Sequence, residues 1–194
     1  MAHDTTDLRN VALVGHAGAG KTTLAEALLH AAGAIRAKGS VARGTTASDF
    51  DPQEKRLQHS LDAAILACEA KGTRIQLVDT PGGGGAAGGA AGGPAGPEPM
   101  THQMMAYAQE RGLCRFLVVT RIDLPEARPE AVLAQLREAY GKECLPLNLP
   151  AANGTQVVDC FFRKDGPATD FGSVASAHEA LIDQVVEVDE ALMQ

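Results

Sequence analysis

Lys21, Thr22 and Asp79 are the residues whose types and neighbours point to chemistry. The run Gly15, His16, Ala17, Gly18, Ala19, Gly20, Lys21, Thr22 and Thr23 fits the pattern G-x-x-x-x-G-K-[ST]. Glycines in such a run let backbone N–H groups turn inward around anionic oxygens, and a following helix adds the positive end of its dipole. Lys21 supplies a point charge for β- and γ-phosphates, and the Thr22 hydroxyl suits Mg²⁺. Asp79 closes the apolar run Arg74-Ile-Gln-Leu-Val78 and opens Asp79-Thr80-Pro81-Gly82. A carboxylate at the end of a parallel strand, beside a phosphate loop, is placed to hold Mg²⁺ through water. Thr22 and Asp79 are therefore the expected metal-facing pair. No residue is assigned as catalytic.

These residues need a strand, a turn and a helix in that order. Asn10-Val-Ala-Leu-Val14 reads as a short buried parallel strand. After the loop, Leu24, Ala25, Leu28, Leu29 and Ala32 recur at helical spacing, and Gly33 suits the cap. A glycine-rich turn without a ligand is the bland alternative, and the strand–loop–helix order argues against it. Further on, Ser60–Ala70 is ambiguous by itself, its Ala and Leu content favouring helix. Met100, Met104, Met105 and Ala108 mark a helix over Pro99–Arg111 ended by Gly112. Pro129 opens another, with Val132, Leu133, Leu136 and Tyr140 on one face. Gln156–Phe162 reads as half of a hairpin. Ser173–Met193 reads as an amphipathic helix with Val174, Leu181, Ile182, Val185 and Leu192 inward and Glu179, Asp183 and Glu187 in solvent.

Arg9–Thr23, Asp79–Gly82 and Val186–Gln194 resemble the GTPase domain of elongation factor G, in its divergent, elongation-factor-G-like branch. Ala42–Ser60 is similar to that branch's first switch segment, Arg111–Asp123 to the strand carrying the guanine motif, and Leu145–Phe162 to a small inserted subdomain. The resemblance implies an α/β P-loop NTPase fold, a mostly parallel sheet flanked by helices with a small insert, and it makes Ser60–Ala70 a strand turning at Lys71-Gly72 into the next one. It divides the chain into a GTPase core over 1–144, an insert over 145–172 and a C-terminal helix over 173–194. It also implies GTP or GDP with Mg²⁺ as ligands and the ribosome as partner, with the ribosome-engaging domains expected elsewhere than in this chain.

The family's guanine motif is Asn-Lys-x-Asp, and here it reads Thr120-Arg121-Ile122-Asp123. Asp123 keeps the carboxylate that accepts from guanine N1 and N2. Thr120 lacks the amide of Asn, and Arg121 stacks as Lys does. Guanine preference is expected but weakened. Asp123 as a simple cap before Leu124-Pro125 stays open. In the first switch the family's metal-binding Thr has no counterpart in the same context, and Gln58 and Ser60 are the candidates to replace it. His16 reads as an exposed loop residue rather than a base.

Residues 82–99 comprise nine Gly, five Ala, three Pro and one Glu. With nothing apolar larger than Ala, the tract reads as flexible linker and cannot supply the family's second switch and buried strand. It also lacks the His that many members carry after the Pro-Gly. A replaced segment, an altered sequence and a rearranged sheet all stay open, with hydrolysis expected to be slow.

The bulk composition agrees with one modest globular protein. The 194 residues are 45% hydrophobic and only 4% aromatic, so Ala, Val, Leu and Ile must build the core. A net charge of -7 argues against a mainly electrostatic, sequence-specific grip on nucleic acid. Four scattered cysteines with no C-x-x-C pair read as reduced structural thiols. The polar, acidic start and the lack of an apolar run near roughly 20 residues argue for a cytoplasmic chain without a membrane partner. Three functions follow: a GTP-hydrolysing domain, a nucleotide-holding pseudo-GTPase, and an ATP-using P-loop enzyme, the last disfavoured by Asp79–Gly82.

Overall fold

A computed structural model describes residues 4–48, 51–57, 60–82 and 99–188. The tract over 82–99 thus falls almost wholly outside the described residues. The chain forms two compact units, one with the described residues up to Arg115 and the other with those from Phe116. Among the described residues no helix is long and apolar enough to cross a membrane.

In the first unit the strands are β1 (Leu8–Leu13), β2 (Ala64–Ala70) and β3 (Thr73–Asp79). They lie in the order β1-β3-β2. β1 runs parallel to β3, with Leu13 opposite Asp79, so the chain leaves β1 for the loop beside that carboxylate. β2 and β3 form a hairpin whose two turn residues, Lys71 and Gly72, both take positive φ. That is the twist-matching geometry favoured in two-residue hairpins. The mostly parallel sheet is therefore not what the described residues form, because this hairpin makes one of the two pairings antiparallel.

β1 was expected to be buried, yet Val11 is 40% and Val14 48% exposed. The reason is position: β1 is the outermost strand among the described residues, and Val14 lies beyond its end. Phe116–Thr120, expected as a strand, forms none, and Phe116, Val118 and Val119 are exposed. A β-branched, aromatic run becomes strand only where a neighbour offers a ladder and a surface to pack on.

Helix α1 (Lys21–Ala31) covers one sheet face, burying Leu29 against Cys68 and Leu77, with Ile35, Leu66 and Ile75 around them. It ends in paired bonds from Gly33 N–H to His30 O and from Ala34 N–H to Leu29 O, the Schellman arrangement. Helix α2 (Pro52–Leu57) is short, and α3 (Pro99–Glu110) turns its Met100, Met104, Met105 and Ala108 face half away from solvent.

The second unit holds α4 (Pro129–Tyr140), the antiparallel pair β4 (Asn148–Ala151) and β5 (Gln156–Asp159), and α5 (Val174–Val188). The strand expected over Gln156–Phe162 is one half of a hairpin, and it stops at Asp159. Leu149, Ala151, Val158, Cys160, Val174 and Leu181 form its core. The Ser173 hydroxyl caps α5 by accepting from Ser176 N–H. Ile182, expected inward, is 42% exposed, because it sits one residue round the helix from Leu181. Leu192 lies outside the described residues. All four cysteines are free thiols, Cys68 and Cys160 buried. Burial pushes the Cys160 thiol above its ordinary range, which keeps it inert.

The β4–β5 turn places Ala152, Asn153 and Gly154 at positive φ. Asp170 holds it, its two carboxylate oxygens accepting from Asn153 N–H at 3.0 Å and Gly154 N–H at 2.8 Å. Charge-assisted bonds of this kind contribute roughly 1–2 kcal/mol when partly exposed. Asp170→Ala is expected to lower the stability of the second unit by about that amount, read as an earlier urea midpoint for its unfolding.

Candidate functional site

The site is built at the C-terminal ends of β1 and β3. β1 delivers Gly15 into the loop, which returns at Gly20, in the left-handed region, to start α1 at Lys21. Leu24 N–H then bonds to Gly20 O at 2.8 Å, so the first amides of α1 remain directed at the loop. β3 delivers Asp79, and Thr80 ties the two strand ends together, its Oγ1 donating to Leu13 O at 2.7 Å. Gly82 lies so close to the loop that a Cβ there would strike the Ala17 backbone. The Asp79–Gly82 turn and the loop are thus one packed object.

Within it Thr22 Oγ1 donates to Asp79 Oδ2 at 2.7 Å. Asp79 is 1% exposed, and a carboxylate so placed is stable only with donors or cations around it. Ser60 completes the group: its Oγ is 3.3 Å from Thr22 Oγ1. Of the two switch candidates, Ser60 is therefore the one brought to the site, and Gln58 lies outside the described residues. Two hydroxyls and one carboxylate are a hard-oxygen set that fits Mg²⁺, while among the described residues no cluster of three His, Cys, Asp or Glu side chains exists. One carboxylate is too little for an all-protein Mg²⁺ cage, which suits an ion carried mainly by phosphate oxygens.

Lys21 Nζ donates to Gly15 O at 3.1 Å and His16 O at 2.9 Å, folded over the loop's own carbonyls. Burial holds the ammonium below the usual lysine range, with Asp79 acting in the opposite direction. An anion arriving in the loop offers a better partner than two neutral carbonyls. His16 is half-buried, with Nε2 inside the protein, and not the exposed residue expected. Ala17, Gly18 and Thr23 are exposed, and Ala19 is half-buried.

Thr120, Arg121 and Asp123 belong to the second unit. Thr120 and Arg121 are half-buried, Asp123 is exposed, and Arg121 takes φ 57°. This loop is backed by the insert's turn: a Cβ on Gly154 would collide with the Ile122 carbonyl and lie 3.0 Å from Asp123 N.

Sequence reasoning missed two buried acids. Glu26 of α1, 2% exposed, accepts from Gly39 N–H at 2.6 Å and Ala47 N–H at 2.5 Å. Glu54 of α2, 4% exposed, accepts from Leu61 N–H and Asp62 N–H. A signal for Glu54 existed in Asp51-Pro52-Gln53-Glu54, which has the form of a capping box with proline at the first helical position.

Residues 6–84 match the family described as the elongation factor Tu GTP binding domain. The chain is 34% identical over 214 residues to an elongation factor G-like protein of Mycobacterium tuberculosis, covering 96% of this chain and 30% of that protein. It is 34% identical over 160 residues to elongation factor G 2 of Streptomyces coelicolor, covering 75% and 23%. A crystal structure of a Thermus thermophilus protein superposes with a TM-score of 0.73 at 30% identity, over 95% of this chain and 32% of that one. The chain thus spans about a third or less of the length of these relatives.

Lys21→Met should reduce triphosphate affinity roughly 10- to 100-fold, the loss of one charge-assisted contact. The nucleotide-free melting temperature should hold or rise. The sign follows from the lowered pKa: below the lowered value the folded state carries a buried charge that the unfolded state hydrates. Calorimetry and thermal melts of both chains check the pair of outcomes. Gly154→Ala should weaken discrimination between guanine and adenine nucleotides while leaving inorganic-triphosphate binding intact, because the nearest atoms a Cβ there would meet belong to Ile122 and Asp123.

Proposed function

The chain belongs to the elongation-factor GTP-binding-domain family, as a domain of elongation-factor-G-like type, and we propose that it binds GTP and GDP with Mg²⁺ and hydrolyses GTP slowly in the cytoplasm. The single observation that carries this reading is the convergence of Thr22, Ser60 and Asp79 beside the Lys21 loop. Phosphate binding is assigned to the backbone amides of Gly15–Thr23 and to Lys21. Thr22 and Ser60 are assigned to the metal directly and Asp79 through water, and the ion, when bound, neutralises charge on the β- and γ-phosphates.

Each residue has a defined task. Lys21 leaves the carbonyls of Gly15 and His16 and pairs with the terminal phosphates. Thr22 would hold the ion through its hydroxyl oxygen, and Asp79 would hold it through a water. Base preference is assigned to Thr120, Arg121 and Asp123, with Asp123 accepting from guanine and Arg121 stacking on the ring. Catalysis of this kind is positioning and electrostatic stabilisation of a loose phosphoryl transfer.

Residues 82–99 favour the second reading, a domain that holds nucleotide with little or no hydrolysis. Water must be oriented for in-line attack, and the Gly/Ala/Pro tract offers one Glu and no His, Gln or Asn to orient it. The ribosome as the partner that accelerates turnover follows from the relatives, whose names are those of elongation factors. No membrane partner and no sequence-specific nucleic-acid contact are assigned to this domain.

Titration with fluorescent GDP, GTP and ATP in Mg²⁺, with phosphate release followed in parallel, tests the assignment. Guanine-selective binding with slow release is the expected outcome, and Asp123→Ala should reduce guanine selectivity at least tenfold. Equal affinity for adenine and guanine would overturn the base assignment, and binding without phosphate release would select the nucleotide-holding reading.

A further inference from the structure

We infer that Glu54 is a positioning residue: its buried carboxylate fixes Ser60–Asp62 so that the Ser60 hydroxyl stands at Thr22. The inference rests on the reading of Thr22, Ser60 and Asp79 as the metal-facing group.

Glu54 sits on the six-residue helix α2, far in sequence from both Thr22 and Asp79. It is 4% exposed. An acid on so short a helix gains little by being buried unless its oxygens are used. Both are used, in different ways. Oε2 accepts from Asp51 N–H at 3.4 Å, while Asp51 Oδ1 accepts from Gln53 N–H at 2.6 Å, an N-terminal cap closely akin to a capping box. That half is ordinary helix chemistry and would be complete without anything further.

The other oxygen does something a capping box does not require. Oε1 accepts from Leu61 N–H at 2.9 Å and from Asp62 N–H at 3.2 Å. These are the two amides that immediately follow Ser60. Two consecutive N–H groups fixed on one anionic oxygen leave the preceding residue little freedom. Ser60 Oγ consequently stays 3.3 Å from Thr22 Oγ1, across 38 residues of chain. Leu61 and Asp62 are themselves largely exposed. The bonds to the Glu54 carboxylate are what ties these two amides to α2. A buried carboxylate is acceptor-only when ionised, so it can serve both amides at once, which a hydroxyl or a neutral amide does less well.

The full chain with bound fluorescent GDP provides the test, as wild type, Ser60→Ala, Glu54→Ala and the double variant. The Mg²⁺ concentration that half-maximally slows GDP release is measured for each. Glu54→Ala and Ser60→Ala should each raise it about five- to tenfold, and the double variant should rise no further than the larger single effect. In the nucleotide-free chain, amide exchange at Leu61 and Asp62 should quicken at least tenfold in Glu54→Ala and stay at the wild-type rate in Ser60→Ala. Glu54→Gln keeps an acceptor at Oε1 but sets an NH₂ against Asp51 N–H, so it should move both readouts in the same direction by less, and it keeps the test available if the alanine variant fails to fold. Faster exchange with an unchanged Mg²⁺ midpoint, in either Glu54 variant, would overturn the inference and leave Glu54 a helix cap. So would effects of Glu54→Ala and Ser60→Ala that multiply in the double variant. GDP release in the wild type that ignores Mg²⁺ would instead remove the metal-facing reading beneath it.

Discussion

The bond from Thr22 to Asp79 is the constraint on which the first unit turns. It joins the start of α1 to the end of β3, two pieces of chain 57 residues apart, at a carboxylate that is almost fully buried. An ionised group in that position must be met by donors or cations, and every nearby element supplies or steers one. β1 supplies the loop that ends in Lys21. The Thr80 hydroxyl locks the two strand ends in register, and α2 holds the hydroxyl of Ser60 in place. The same demand that makes Asp79 costly to bury without partners makes it ready to receive a hydrated cation.

Local chemistry made this part of the molecule legible in the sequence. A glycine loop between an apolar run and a helical repeat admits one arrangement, and Asp79-Thr80-Pro81-Gly82 reads as the end of a strand because each residue has a local reason to be there. Ser60–Ala70 was harder, since Ala and Leu favour helix. The family resemblance decided it, and in the structure the tight Lys71-Gly72 turn sets the register of β2 on β3. The helix caps at Gly33 and Gly112 were legible for the same reason, as each is settled within a few residues.

What was not legible depended on neighbours. Asn10–Val14 and Phe116–Thr120 have the composition of buried strands, and neither is buried. Strand propensity reports how well a residue fits a half-buried pleated surface, and it is silent on whether the surface exists. Residues 82–99, which hold only Gly, Ala, three Pro and one Glu, lie almost wholly outside the described residues. Ile182 shows the same limit on a helix, where one residue of rotation separates the buried Leu181 from solvent. Glu26 and Glu54 escaped for another reason. In sequence a glutamate on a short helix is most simply a solvated charge, and only the fold shows which backbone amides come to meet it.

Those two acids bear on how the site works. Glu26 gathers Gly39 and Ala47, and Glu54 gathers Asp51, Leu61 and Asp62, so the long excursion between α1 and β2 is pinned at five amides by two carboxylates. Backbone amides carry no information about side-chain type, so this restraint does not depend on which side chains the segment carries. Serine here, with no methyl to restrict it, relies on its backbone being held. The restraint comes from inside the first unit and needs nothing from residues 82–99. The groups that hold nucleotide are thus distinct from the group that must orient water, so binding and turnover are separable. Holding a nucleotide draws on Lys21, Thr22, Ser60 and Asp79, whereas hydrolysis draws in addition on a group to orient water, which must come from somewhere other than the Gly/Ala/Pro tract.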